Sequence, residues 1–144
     1  MELLPKAIAG GLGKLYVSLP EFRDAFRKTC EAVDRLPKGI VGRARALNYP
    51  QLHNACVLGD VELVEGLLNA GISPNAYPFT ENEWDEPPLV WLAMAEEMDP
   101  KKKISVASVL VRHGADPEEG DALTFAKQLG DSSFATYLES CARR

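Results

Sequence analysis

An apolar pattern recurs three times in the second part of the chain, and this periodicity constrains the fold more than any other feature. It begins at Leu52, again 37 residues later at Leu89, and once more 34 residues later at Leu123. Repeats of this length are typical of solenoids, in which one unit cannot bury its own apolar face and needs stacked neighbours. We therefore expect three structural units packed in a row.

The first unit carries the fullest motif. Leu52-His53-Asn54-Ala55 is followed by Gly59, by Leu67-Leu68 and by Gly71-Ile72-Ser73-Pro74-Asn75-Ala76. This resembles the ankyrin repeat, whose pattern is P-L-H-x-A, a Gly four residues on, a helix ending in L-L, and then G-A-x-x-N-A. The resemblance covers about residues 47 to 144 and implies an all-α, ankyrin-like helical solenoid of three repeats. It also implies that His53 hydrogen-bonds a neighbouring loop and has no catalytic role.

The other two units depart from the motif. The second closes with Gly114-Ala115-Asp116 but lacks the His, and it has extra residues around Glu96 to Lys102 between its helices. We interpret the segment from Glu96 to Lys103, an acidic cluster followed by a basic one, as a solvated loop, with a second contact site as the alternative. The turn from Gly114 to Leu123 is shorter than the pattern requires, so a full hairpin is not expected there.

Residues 1 to 46 are predicted to form an N-terminal helical cap, which leaves 47 to 144 as the ankyrin repeats. Ser18 and Glu21 have the spacing of a capping box at a helix start. Apolar side chains then recur at three- and four-residue steps, as an amphipathic helix requires: Phe22, Ala25, Phe26, Thr29, Val33 and Leu36. The helix is expected to stop at Pro37-Lys38-Gly39.

Two further helices are expected in this segment. One lies near 3–15, where three glycines lower the helix propensity, and the other covers 40–47. The end of a solenoid exposes an apolar flank that must be covered, so the segment is interpreted as a cap. The alternative is that its amphipathic helix binds a partner.

Charge is divided unevenly along the chain. Residues 1 to 46 hold nine basic and five acidic side chains, whereas residues 47 to 144 hold seven basic and sixteen acidic ones. From Ser73 to Pro100 there are seven carboxylates and no Lys or Arg. Such a field repels phosphate and attracts a basic protein surface, so we expect a basic protein partner and no nucleic acid.

The composition favours a cytoplasmic monomer. No apolar run reaches the ~18 residues of a membrane span, and the N-terminus lacks a secretory signal, so no membrane partner is expected. Cys30, Cys56 and Cys141 are odd in number and widely separated, which fits reduced thiols. Cys56 lies where the repeat requires a small buried residue.

No set of residues has the spacing of a catalytic, cofactor or metal site, so we expect neither an enzyme nor a cofactor. Gly10-Gly11-Leu12-Gly13-Lys14 lacks the first Gly and the Ser or Thr of a phosphate-binding loop. His53 and His113 are sixty residues apart, and His113 occupies a helix C-terminus, where a cation is mildly favoured.

The segment between the first two repeats carries the strongest indication of a binding site. The ankyrin resemblance places a projecting finger there, beside the first-helix surfaces that form the concave face, and here that finger is lengthened. Aromatic side chains anchor protein interfaces, and surrounding charges select the partner. The predicted partner-binding residues are Tyr77, Phe79, Glu81, Glu83, Trp84, Asp85, Glu86 and Trp91. The alternative is that the aromatic residues fold back on the repeat, while calcium binding is disfavoured because the ligand spacing is absent.

We therefore interpret the chain as a protein–protein interaction module. Because it is short, acidic and without catalytic residues, an inhibitor is one hypothesis, for example an immunity protein that neutralises a basic toxin enzyme. A non-inhibitory adaptor or assembly scaffold, or an effector acting on host proteins, are the alternatives.

Overall fold

The computed structural model describes residues 20–78, 85–118 and 120–142, and it contains eight helices and no strand within these ranges. The helices are α1 Pro20–Asp34, α2 Lys38–Ala46, α3 Gln51–Leu58, α4 Val61–Asn69, α5 Pro88–Ala93, α6 Pro100–Arg112, α7 Ala122–Gln128 and α8 Ser132–Ala142. The predicted all-α fold class is confirmed. The expected helix over 3–15 and the capping residue Ser18 lie outside the described residues.

The helices form two parallel rows. The first helices of the three repeats, α3, α5 and α7, pack side by side, and the second helices α4, α6 and α8 pack behind them. The core between the rows is made of Leu, Val and Ala side chains, because each helix contributes one apolar face. Leu52 and Leu89, which begin the first two motifs, are both buried. This is the ankyrin-like stack that the sequence predicted.

The N-terminal helices extend these rows. α2 packs against α4 in the second row, and α1 packs on α2. Val33 of α1 and Ile40 of α2 are buried in the same core as the repeats, while Phe26 lies edge-on against Tyr49. Covering the first repeat in this way is what a cap requires; the division into a cap of residues 1–46 and repeats of residues 47–144 stays a prediction.

Glycine determines where the helices of the first repeat end. Gly59 closes α3 with φ +77°, and Gly71 follows α4 with φ +109°. A residue with a side chain is strained in this left-handed region, which is why glycine is favoured at both positions. Both predicted helix ends are confirmed. Asp60 then starts α4 by accepting a hydrogen bond from the Leu63 backbone N–H at 3.2 Å.

Lys103 corrects the expectation of a solvated loop between α5 and α6. Only residues 94–99 form the connection, and Lys103 lies inside α6 with a relative exposure of 2%. Its Nζ donates to Asp131 Oδ2 at 2.7 Å and lies 5.1 Å from the ring centroid of Phe134. A buried ammonium needs such partners because of its desolvation cost. The pair therefore ties the second repeat to the third.

Asp131→Asn should destabilise the stack by ~2 kcal/mol or more, because it leaves the buried Lys103 charge without a counter-ion. Lys103→Met, which removes the charge and keeps the length, should cost less, and adding it to Asp131→Asn should recover stability. Urea unfolding of the three variants measures the differences. Equal midpoints for Asp131→Asn and wild type would contradict this role.

Candidate partner-binding site

Both ends of the finger are held by buried side chains. At its entry, the Tyr49 hydroxyl donates to the Pro78 carbonyl oxygen at 2.7 Å. At its exit, Nε2 of His53 donates to the Glu86 carbonyl oxygen at 2.9 Å. Because Tyr49 and His53 belong to the start of the first repeat, Pro78 and Glu86 at the two ends of the finger are held against the helical stack. The predicted contact between His53 and a neighbouring loop is confirmed.

His53 is neutral under ordinary conditions. Its side chain has a relative exposure of 1%, and burial lowers the pKa of the ring to about 4, although the backbones of Glu86 and Ala76 oppose the change. The bond to Glu86 assigns the proton to Nε2, which leaves Nδ1 as an acceptor, buried without a well-formed hydrogen bond. A ring in this state positions the backbone and does not act as a base at neutral pH.

Trp91 lies beside this histidine. The two rings meet edge-to-face, with centroids 5.0 Å apart and an interplanar angle of 70°. Trp91 is half-buried, so part of its indole is packed against the stack and part faces outward. The equivalent position in the first repeat, Asn54, instead donates to the carbonyls of Asn48 and Pro50, and Phe125 in the third repeat is half-buried against the core.

The structure describes four of the eight predicted binding residues. Tyr77 is 43% exposed beside the finger entry, and Asp85 and Glu86 are half-buried at its exit, one helix start away from Trp91. The other four lie outside the described residues: Phe79, Glu81, Glu83 and Trp84. Their contribution stays a prediction.

The loop between the second and third repeats adds one carboxylate, Asp121, that was not predicted from the sequence. Burial raises the pKa of Glu86, and the nearby carboxylates of Asp121 and Asp85 raise it further. Gly120, with φ +67°, allows this close approach, since a Cβ there would lie 2.8 Å from Val90 Cγ2. We call Asp85, Glu86 and Asp121 the acidic edge. Neither loop contains a Lys or Arg.

Asn75 connects the same loops by two hydrogen bonds. Its Nδ2 donates to the Gly114 carbonyl oxygen at 3.0 Å, and its Oδ1 accepts from the Asp116 N–H at 2.8 Å. Asn75 is part of the motif by which the first repeat was identified, so this signal could have indicated that the two loops are neighbours.

A cleft of about 400 Å³ opens between α1 and the finger base. Tyr49, His53, Ile72, Tyr77 and Pro78 contribute to one side, and α1 contributes Ala25, Ala32 and charged residues to the other. Its largely apolar walls can receive an apolar side chain. The cleft adjoins Tyr77, so it extends the predicted site towards the N-terminal helices.

Within residues 20–78, 85–118 and 120–142, no group of three or more His, Cys, Asp or Glu side chains has the arrangement of a metal site, and no helix is long and apolar enough to cross a membrane. Cys56 is buried, as predicted, and burial raises the pKa of its thiol, which disfavours the reactive thiolate.

Comparison with known proteins supports the repeat assignment. The chain is 32% identical over 89 residues to cyclin-dependent kinase 4 inhibitor B of Bos taurus, an ankyrin-repeat protein. The alignment covers 62% of this chain and 60% of that relative. The chain therefore spans less than two thirds of the length of the curated relative it matches. No protein-family model matches the chain, and no solved structure matches it significantly.

The neutral state of His53 has a measurable consequence. Because its folded pKa of about 4 lies below the ordinary 6.5, its contribution to stability is fully present above pH 6.5. It should fall by about 1.4 kcal/mol per pH unit as the pH decreases from 6.5 towards 4. His53→Gln should remove this component.

Urea unfolding at pH 7.5, 6.5, 5.5 and 5.0 tests the prediction, with His113→Gln as the control for loss of a histidine. The free energy of unfolding of His113→Gln should still decrease as the pH is lowered, because this variant keeps His53. Parallel stability profiles for wild type and His53→Gln would contradict the buried neutral ring.

Proposed function

We propose that this protein is a protein-binding module that captures a basic partner through its finger, its acidic edge and Trp91. The observation that carries the proposal is the acidic edge at the finger exit, where burial and then the carboxylates of Asp121 and Asp85 raise the pKa of Glu86, whose backbone carbonyl is held by His53. Like charges held together are unfavourable for folding alone, whereas a basic partner relieves their repulsion.

The aromatic residues supply the apolar part of this interface. Trp91 is half-buried next to the acidic edge, Tyr77 is exposed at the cleft, and the sequence adds Phe79 and Trp84 between them. Large aromatic side chains that are already positioned lose little conformational entropy on binding. The cleft beside Tyr77 provides the concave surface into which a partner's side chain can insert.

We propose further that binding inhibits the partner. The similar bovine protein is named as an inhibitor of a kinase, which supports an inhibitory role for an ankyrin-like chain of this kind. The protein would then act by occupying a functional surface of an enzyme, as an immunity protein does with a toxin. The alternatives are a non-inhibitory adaptor or scaffold and an effector of host proteins. We propose that the chain itself has no enzymatic activity and binds its partner as a cytoplasmic monomer.

The first experiment identifies the partner by affinity capture from the native cytosol and mass spectrometry. Its activity is then measured with increasing amounts of the purified chain. An inhibitor abolishes the activity at one-to-one stoichiometry. A partner that binds and remains fully active would identify an adaptor.

Trp84→Ala and Trp91→Ala should each weaken binding of that partner by ~2 kcal/mol, which is about thirtyfold, chiefly through faster dissociation. Surface plasmon resonance gives the two rate constants, and thermal unfolding checks that each variant is folded. Wild-type dissociation rates in both variants would exclude the finger and the Trp91 surface as the principal site.

Replacing the carboxylates of the acidic edge by amides should change the association rate. The triple variant Asp85→Asn, Glu86→Gln and Asp121→Asn should associate several-fold more slowly at low salt and show a flatter dependence on ionic strength. The matched control removes three exposed carboxylates elsewhere, by Asp24→Asn, Asp34→Asn and Glu62→Gln. If both triple variants slow association equally, total charge and not the acidic edge guides the partner.

A further inference from the structure

An apolar row lies at the C-terminal ends of the first helices, away from the finger. The residue six positions after the first Leu of each motif is Leu58, Ala95 or Leu129. Leu58 is 65% exposed and Leu129 42%, which places both among the most exposed large apolar side chains of the described chain. α3 packs beside α5, and α5 beside α7, so the C-terminal ends of the first helices follow one another across the repeats, with Ala95 two residues beyond the end of α5. We call Leu58, Ala95 and Leu129 the rim row.

A groove opens along this row where the connection between α5 and α6 is lengthened. Its apolar lining comes from Val57, Leu58, Ala95 and Met98, and the stem of Lys102 forms part of the wall. Gly59 permits this wall to approach α3, since a Cβ at that position would lie 2.8 Å from Lys102 Cγ and 3.4 Å from Met98 Cε. The groove is therefore built by close packing against the end of α3.

The charges around the groove are mainly negative. Glu96, Glu97 and Asp99 line it together with Lys102, which gives three carboxylates against one ammonium. All three acidic residues are exposed, and within the described ranges none of them forms an ion pair. These carboxylates are available to basic residues that flank an apolar side chain of a ligand.

We infer that the rim row and its groove bind a basic amphipathic helix of a partner protein. Packed helices lie ~8–10 Å apart, and residues seven positions apart on a helix are separated by ~10.5 Å along its axis. A helix with apolar residues every seven positions thus brings one side chain to each member of the row. Because Ala95 is small, it leaves room for the middle apolar side chain of the partner helix. Basic residues on the flank of that helix then meet Glu96, Glu97 and Asp99.

This inference does not depend on the proposed finger site, which lies at the opposite ends of the same helices. A negative result at one site therefore does not contradict the proposal for the other site. The probe is a synthetic helical peptide of about 20 residues with Leu at three positions seven apart, on a background of Ala and Lys. The control peptide has the same composition, with its leucines at positions that do not share a helix face.

Titration of each peptide against the full chain, followed by heteronuclear NMR, measures affinity and location. We expect saturable binding of the first peptide, with the largest shifts at Val57, Leu58, Ala95, Met98 and Leu129. Leu58→Ser and Leu129→Ser should each weaken binding by about tenfold, since each removes a leucine that the complex buries. Gln128→Ser, which alters the exposed polar neighbour of Leu129, should bind as wild type does.

Several results would overturn the inference. These are no saturable binding up to roughly 1 mM, equal binding of the control peptide, or unchanged affinity in both leucine variants. Sedimentation of the protein alone tests a second copy as the occupant. If the protein self-associates and Leu58→Ser abolishes the association, the rim row is a homodimer interface and the inference of a partner helix is wrong. Because both leucines are exposed, the variants should keep the wild-type unfolding midpoint, which is measured in parallel.

Discussion

The hydrogen bond from His53 to the Glu86 carbonyl oxygen connects the buried stack to the loop edge that we propose to bind a partner. Burial keeps the ring neutral, and a neutral ring can donate from Nε2 without the cost of a buried charge. The same ring packs against Trp91. One side chain therefore fixes the finger exit and an aromatic residue of the proposed site, while Tyr49 fixes the finger entry.

The scaffold in turn depends on contacts between repeats. Apolar packing forms most of the core, but Lys103 and Asp131 add a specific polar link between the second and third repeats, and Asn75 links the loops of the first and second. Each unit thus contacts its neighbours in both the helical rows and the loops, which is the arrangement expected of a solenoid. The two ends of the first helices then present different surfaces: an acidic aromatic edge at one end and an apolar row at the other.

Much of the fold could be predicted from the sequence because it depends on local signals. The motif spacing indicated the repeats, glycines indicated the helix ends, and His53 was correctly assigned to a loop contact. Lys103 was misassigned because its partner, Asp131, is 28 residues away and no local pattern shows the pairing. The acidic edge was predicted only in part: Asp121 joins it through the packing of one loop on another, which appears only after the repeats are stacked. The exposure of Leu58 and Leu129 likewise depends on which side of each helix faces its neighbours.

The protonation state of His53 tests the account most directly, because Glu86 at the finger exit is held by a neutral ring with its proton on Nε2. Long-range proton–nitrogen NMR correlations of the imidazole, recorded from pH 7.5 to 5, report the charge and the tautomer. The account predicts a neutral ring with the proton on Nε2 over this whole range, consistent with a pKa of about 4. A ring that becomes protonated near pH 6.5, or that carries its proton on Nδ1, would contradict it.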